Sequence, residues 1–122
     1  MLPTGSRLRD PDLFRVASRE GRRSGSRTLV THLLVVNGEE ASVLFGDDPD
    51  GTPRVGFVVS KAVGGAVVRN RVKRRLRHAV AAHLGDLPPA SVLVVRATPA
   101  AGGASYDQLV GDLRHCLSRV RS

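Results

Sequence analysis

Apolar positions recur along this chain in two rhythms. Val68, Val72, Leu76 and Val80, with Ala79 and Leu84 nearby, come three and four apart, the repeat of a helix with one buried stripe. That helix is expected over residues 67–84. Thr28 to Val36, Arg54 to Ser60 and Ser91 to Ala97 are instead dense in valine and other strand-favouring residues and predict strands. Asn37-Gly38 is a hairpin signal, with Ala41 to Phe45 as the returning strand. Near the start, Leu13, Phe14, Val16 and Ala17 give an apolar side to a helix that opens with Asp10 as N-cap and Pro11 in the first turn. Gly21 ends it. Near the end, Ser105 caps a helix reaching about Val120, with Leu109, Leu113, Cys116, Leu117 and Val120 on one face.

The remaining stretches are punctuation. Met1 to Arg9 is a basic lead-in, Arg22 to Arg27 a short basic loop, and Gly46 to Gly51 an acidic turn whose carboxylate spacing does not fit a calcium loop. The order is helix, three strands, helix, strand, helix. A strand, a helix and a strand in succession imply at least one parallel pair. At 122 residues this is one α+β domain spanning 1–122.

The polar positions of the central helix change the picture from fold to function. Arg69, Arg71, Lys73, Arg74, Arg75 and Arg77 fill most of the circumference that the apolar stripe leaves, and no acid occurs between Asp50 and Asp86. Like charges three and four apart each cost on the order of a few tenths of a kcal/mol without compensation. A run of cations is often only a solvated face. Here the density of arginine and the absence of glutamate point to a polyanion site. The net charge of +8 agrees, favouring nucleic acid or an anionic surface.

Other chemistry is thin. Cys116 is the single cysteine, which excludes an internal disulfide and reads as a core thiol. His32, His78, His83 and His115 lack ligand spacing. Gly64-Gly65 precedes a helix but is followed by Ala66-Val67 instead of Lys-Ser or Lys-Thr, so a nucleotide loop of the Walker type is excluded. No spaced carboxylate pair for two metals and no nucleophile with an evident base is present. No apolar run approaches the roughly 18 residues of a membrane span. The first residues lack the apolar centre of a signal peptide, and the expected location is the cytoplasm.

Ser60-Lys61, Gly64, Ala66-Val67, Arg69-Asn70-Arg71, Lys73-Arg74 and Arg77 together resemble the arginine-rich helix of the bacterial ribonuclease P protein subunit. The resemblance runs over nearly the whole chain. It takes in Arg7-Leu8-Arg9 with Phe14 and Gly21, Arg54-Val55-Gly56, Val92 to Val95, Pro99 and Ser105-Tyr106. It implies an α-β-β-β-α-β-α sandwich similar to a domain of ribosomal protein S5, with a left-handed β-α-β crossover through the basic helix, against the usual rule.

The resemblance also implies a role. Proteins of this family join a large catalytic RNA and help it remove the 5′ leader from precursor tRNA. The RNA does the chemistry, with Mg²⁺ bound mainly by RNA and none expected on the protein alone. Neither membrane nor DNA is an expected partner. Lys61, Arg69, Arg71, Lys73, Arg74 and Arg77 become phosphate contacts. Asn70 bonds a base edge or a metal-bound water, or merely caps the helix; Lys61 alternatively is a solvated strand-end lysine.

Phe14, Val30 and His32 are expected in the leader cleft, Phe14 stacking a base or packing in the core. His32 stands where relatives often carry tyrosine and Ser18 where a second phenylalanine is common. Ala62 stands in place of a second lysine, and 37–53 is longer than usual. Aromatics make up only 3% of the chain, so stacking is thin. The alternatives are a general or ribosomal RNA-binding protein, which the whole-chain motif order disfavours, a DNA-binding module, against which arginines surround the helix instead of presenting one base-reading face, and a self-sufficient nuclease, which lacks a metal site.

Overall fold

The computed structural model describes Leu8, residues 10–36 and residues 52–121. Helix α1 spans Pro11–Glu20, strand β1 Arg22–Gly25, β2 Leu29–Val35 and β3 Arg54–Val58. Helix α2 spans Ala66–Ala81, β4 Ser91–Ala97 and helix α3 Tyr106–Arg121, with short 3-10 turns at Leu84–Asp86 and Pro99–Gly103. The sheet order is β1-β2-β4-β3. β2 is antiparallel to both β1 and β4, while β3 runs parallel to β4. The expected α+β class holds. The hairpin at Asn37-Gly38, the strand at Ala41 to Phe45, the acidic turn and most of the lead-in lie outside the described residues.

Two corrections concern the elements. Arg22 to Gly25, expected as loop, is an edge strand paired with Val30 to Leu33. Two arginines, a serine and a glycine carry no strand propensity, and pairing with a strong neighbour imposes the conformation. The central helix is shorter than its apolar repeat. It closes at Ala81, and Leu84 belongs to a separate 3-10 turn that still packs on the core.

The sheet separates two cores. Leu13 and Ala17 of α1 pack with Val92 and Val94 on one face. α2 and α3 cover the other, over Leu29, Leu33, Val55, Leu93 and Val95. β4 is covered on both faces, which explains its unbroken apolar run from Val92 to Val95. Each such side chain contributes about 1.5–3 kcal/mol when fully buried. Cys116 is buried in this second layer, as expected.

The helix ends follow their local chemistry. Asp10 caps α1 by accepting from the Asp12 N–H at 2.9 Å. Ser105 and Gln108 exchange side-chain and backbone bonds at 2.8 and 3.1 Å, a capping box that starts α3. Gly21 ends α1 for a reason other than turn geometry: its φ is −66°. A Cβ there would strike the Ala17 carbonyl and the Leu33 backbone, so glycine lets the helix end lie directly on β2.

The hydrogen bonds fix the hand of the crossover. Thr98 N–H donates to the Thr28 carbonyl and Val36 N–H to Ala90, so the backbone groups of Val92, Val94 and Arg96 face β2. The side chains of those residues point toward α1. For L-residues this places β2 to the right of an upward β4 seen from α1, and β3 to the left. With α2 behind the sheet, the β3-α2-β4 connection is left-handed, the rare hand.

Candidate nucleic-acid interface

Rotation of about 100° per residue sorts the cations of α2 into three rows. Val72, Leu76, Ala79 and Val80 are buried and define the bottom of the helix. Asn70 and Arg74 stand exposed on the crest beside Val67. Arg69, Lys73 and Arg77, half-buried, follow the flank toward β3. Arg71 and Arg75 occupy the opposite flank. Among the described residues no carboxylate pairs with any cation of α2. Asn70 lies inside the helix, and Gly65 holds the N-cap position, so the capping alternative for Asn70 does not describe this chain.

Arg71 and Arg75 are tied to their own protein. Arg71 Nη2 donates to the Gly102 carbonyl at 3.3 Å and Arg75 Nη1 to the Ala104 carbonyl at 3.2 Å. Both carbonyls belong to the segment that leads into α3. A hydrogen bond from a charged donor contributes about 1.5–3 kcal/mol, less where solvent competes. Arg71→Ala and Arg75→Ala are therefore expected to lower the urea midpoint, and Arg74→Ala to leave it unchanged. Equal midpoints for all three variants would show that the two bonds stabilise nothing. The structure brings Arg71 into the basic helix as expected, with part of its donor capacity already used.

On the other face of the sheet, α1 and the strands enclose a shallow cleft. β-pairing puts Val30 opposite Arg96, and His32 opposite Arg23 on one side and Val94 on the other. Directly paired residues share a face, so Arg23, Val30, His32, Val94 and Arg96 all point toward α1. Pro11, Phe14, Arg15 and Ser18 supply the helical wall, with Arg96 at its foot. Ser18 Oγ donates to the Phe14 carbonyl at 2.9 Å, so its hydroxyl is turned onto the helix. Arg23 and Arg96 had no signal of their own in the sequence. Register alone brings them beside Val30 and His32.

Phe14 is half-buried and is shared between the core and the cleft. Its ring packs with the α1-side core and lies over Gly56, where a Cβ would collide with it. Its free edge lines the cleft. Lys61 is exposed in the turn before α2, where its carbonyl accepts from the Gly64 N–H.

His32 is only 8% exposed, and its Nδ1 is buried without a hydrogen-bond partner. Burial first, then the charges of Arg96 and Arg23, hold its pKa below the ordinary 6.5. The folded protein therefore binds fewer protons than the unfolded chain just below that value. The stability from neutral His32 is complete above 6.5 and is lost as pH falls through the window beneath it. Melting temperatures taken from about pH 7.5 down to about pH 5.5 should fall for the native chain and fall less for His32→Asn. Parallel curves would remove His32 as the cause.

A cationic helix without acids, a cleft with one aromatic edge and a left-handed crossover occur here in one fold. The ribonuclease P family description matches residues 2–121. The chain belongs to the ribonuclease P protein family. The ribonuclease P protein component of a Nocardioides species is 53% identical over 121 residues, covering 98% of this chain and 95% of that relative. That of Corynebacterium jeikeium is 42% identical over 126 residues, covering 98% of each. The solved ribonuclease P protein of Staphylococcus aureus superposes with a TM-score of 0.74 at 26% identity, over 93% of both chains. That of Thermotoga maritima shares the fold, with a TM-score of 0.68 at 22% identity. This chain is thus a protein subunit of ribonuclease P, the tRNA 5′-processing endoribonuclease, as its sequence implied.

Proposed function

We propose that the protein works by holding two RNAs at once, the catalytic RNA on α2 and the single-stranded 5′ leader of precursor tRNA in the cleft beneath α1. The observation that carries this reading is the separation of the two surfaces. Asn70 and Arg74 project from one side of the sheet, with no carboxylate paired to them among the described residues, and Phe14 and Arg96 line a largely apolar trough on the other, with Val30 paired beside Arg96. Phosphates suit the first surface, with arginine able to grip two oxygens at once. An unpaired strand suits the second, because a stacked base needs an exposed aromatic edge and its backbone needs cations.

In this account the chain positions substrate and supplies positive charge, and the bond is broken elsewhere. Among the described residues no three His, Cys, Asp or Glu side chains come together as a metal site. Mg²⁺ is a hard cation that favours phosphate and water oxygens, and we assign it to the RNA, where it would activate water and steady the leaving oxygen. Asn70, exposed beside Arg74, is assigned to a base edge or a metal-bound water of that RNA. Lys61 is assigned to a peripheral phosphate, and the cytoplasm is the assigned location. No helix among the described residues is long and apolar enough to cross a membrane.

The test is affinity of the reconstituted ribonucleoprotein for precursor against mature tRNA. Tighter binding of the precursor, with the gain lost when the protein is omitted, is expected. Equal affinities would take the leader out of the account.

A further inference from the structure

Phe14 walls a second hollow as well as the cleft. Beside β3, the last strand in the described sheet order, a cavity of about 190 Å³ lies between α1 and α2. Phe14 and Phe57 are among its walls, Gly56 lies on its floor, and Lys73 and Arg77 reach it from the basic helix. Leu8 closes one side, its N–H donating to the Val55 carbonyl at 2.9 Å. No acid lines it. Neither cation has an ion pair or hydrogen bond among the described residues.

From this geometry we infer that the β3-edge pocket binds one unpaired nucleotide of the leader, its base among Phe14 and Phe57 and its phosphate on Lys73 and Arg77. This rests on the leader reading above and alters the assignment of two residues. Lys73 and Arg77, expected as contacts to the catalytic RNA, become contacts to the substrate. The chemistry is that of single-strand sites generally, aromatic faces for a base and cations for its backbone. The pocket has room for one planar base and not for a pair. The source of the nucleotide follows from Phe14: one ring borders both cleft and pocket, so a strand leaving the cleft passes directly into the pocket. Gly56 is what permits this, since any side chain there would displace the ring. Arg74, on the crest, points away from this path.

The experiment uses the reconstituted complex and a series of precursor tRNAs whose leaders lengthen by single nucleotides from none. The native protein should gain affinity in steps. Lys73→Ala with Arg77→Ala should abolish about one such step, roughly a tenfold loss at that length and beyond. Affinity for leaderless tRNA and for the catalytic RNA should stay within about twofold. Arg74→Ala should do the reverse, weakening the catalytic RNA and preserving every step. If the double variant loses affinity for the catalytic RNA as Arg74→Ala does and keeps all steps, the pocket holds a nucleotide of that RNA and the inference is overturned. If the native protein shows no steps, the leader reading fails as well, which distinguishes the two. Phe57→Leu, which keeps an apolar filler at a half-buried site, should reproduce the loss of the step without touching the cations.

Discussion

Alanine at Arg69, Asn70 and Arg74 together should weaken binding to the catalytic RNA by about 30-fold near physiological salt, through two lost phosphate contacts at roughly 1 kcal/mol each. The slope of log affinity against log salt should shrink by about two, one for each cation removed. Asn70 and Arg74 lie on the crest of α2 and Arg69 on its flank toward β3, one turn before Lys73, while the buried stripe is Val72, Leu76, Ala79 and Val80. The melting temperature should therefore hold within a few degrees. An unchanged salt slope would mean that the helix is only a solvated face. Arg71 is left out of this set deliberately, because its bond to Gly102 would mix a stability loss into the binding measurement.

Phe14→Ala should have the second large effect, and on a different quantity. Loss of one base stack costs about 1–3 kcal/mol, so preference for precursor over mature tRNA should drop by roughly 10-fold or more. Affinity for the catalytic RNA should change little. The ring also packs on the α1-side core above Gly56, and truncation leaves a void there. Phe14→Leu separates the two roles: it keeps most of the packing and removes the stack. Equal losses for precursor and mature tRNA with both variants would place Phe14 in the core alone.

Where local chemistry decided the structure, the sequence was legible. Asp10, Pro11 and Gly21 bounded α1 correctly, Ser105 opened α3, and the apolar repeat of α2 named its buried face. The basic helix could be read as an RNA surface because the missing acids are a property of the sequence itself. What tertiary packing decided was hidden. β1 exists through its pairing with β2, and nothing in Arg22 to Gly25 announces a strand. Arg23 and Arg96 join the cleft through register, which a single isolated arginine in a strand cannot reveal. The division of α2 into a crest, a flank toward β3 and a flank bonded to Gly102 and Ala104 was latent in the helical rotation. It needed the positions of β3 and of the segment before α3 to acquire meaning.

The left-handed crossover shows the same limit from the other side. Periodicity gives a strand, a helix and a strand, and the general rule then favours the right hand. Only the whole-chain family resemblance implied the opposite, and the backbone bonds of Thr98 and Val36 bear it out. In this arrangement α2 and α1 lie on opposite faces of one sheet, so the basic crest of α2 and the cleft beneath α1 are separated by that sheet. Phe57 and Gly56, adjacent on β3, serve those opposite faces directly.

Cleavage of precursor tRNA at low, near-physiological Mg²⁺, by a bacterial ribonuclease P RNA with and without this protein, tests the central claim most directly. The account predicts strong stimulation, a cut at the mature 5′ end, and no cleavage by the protein when the RNA is omitted. Tight RNA binding without stimulation would contradict it, as would cleavage by the protein alone.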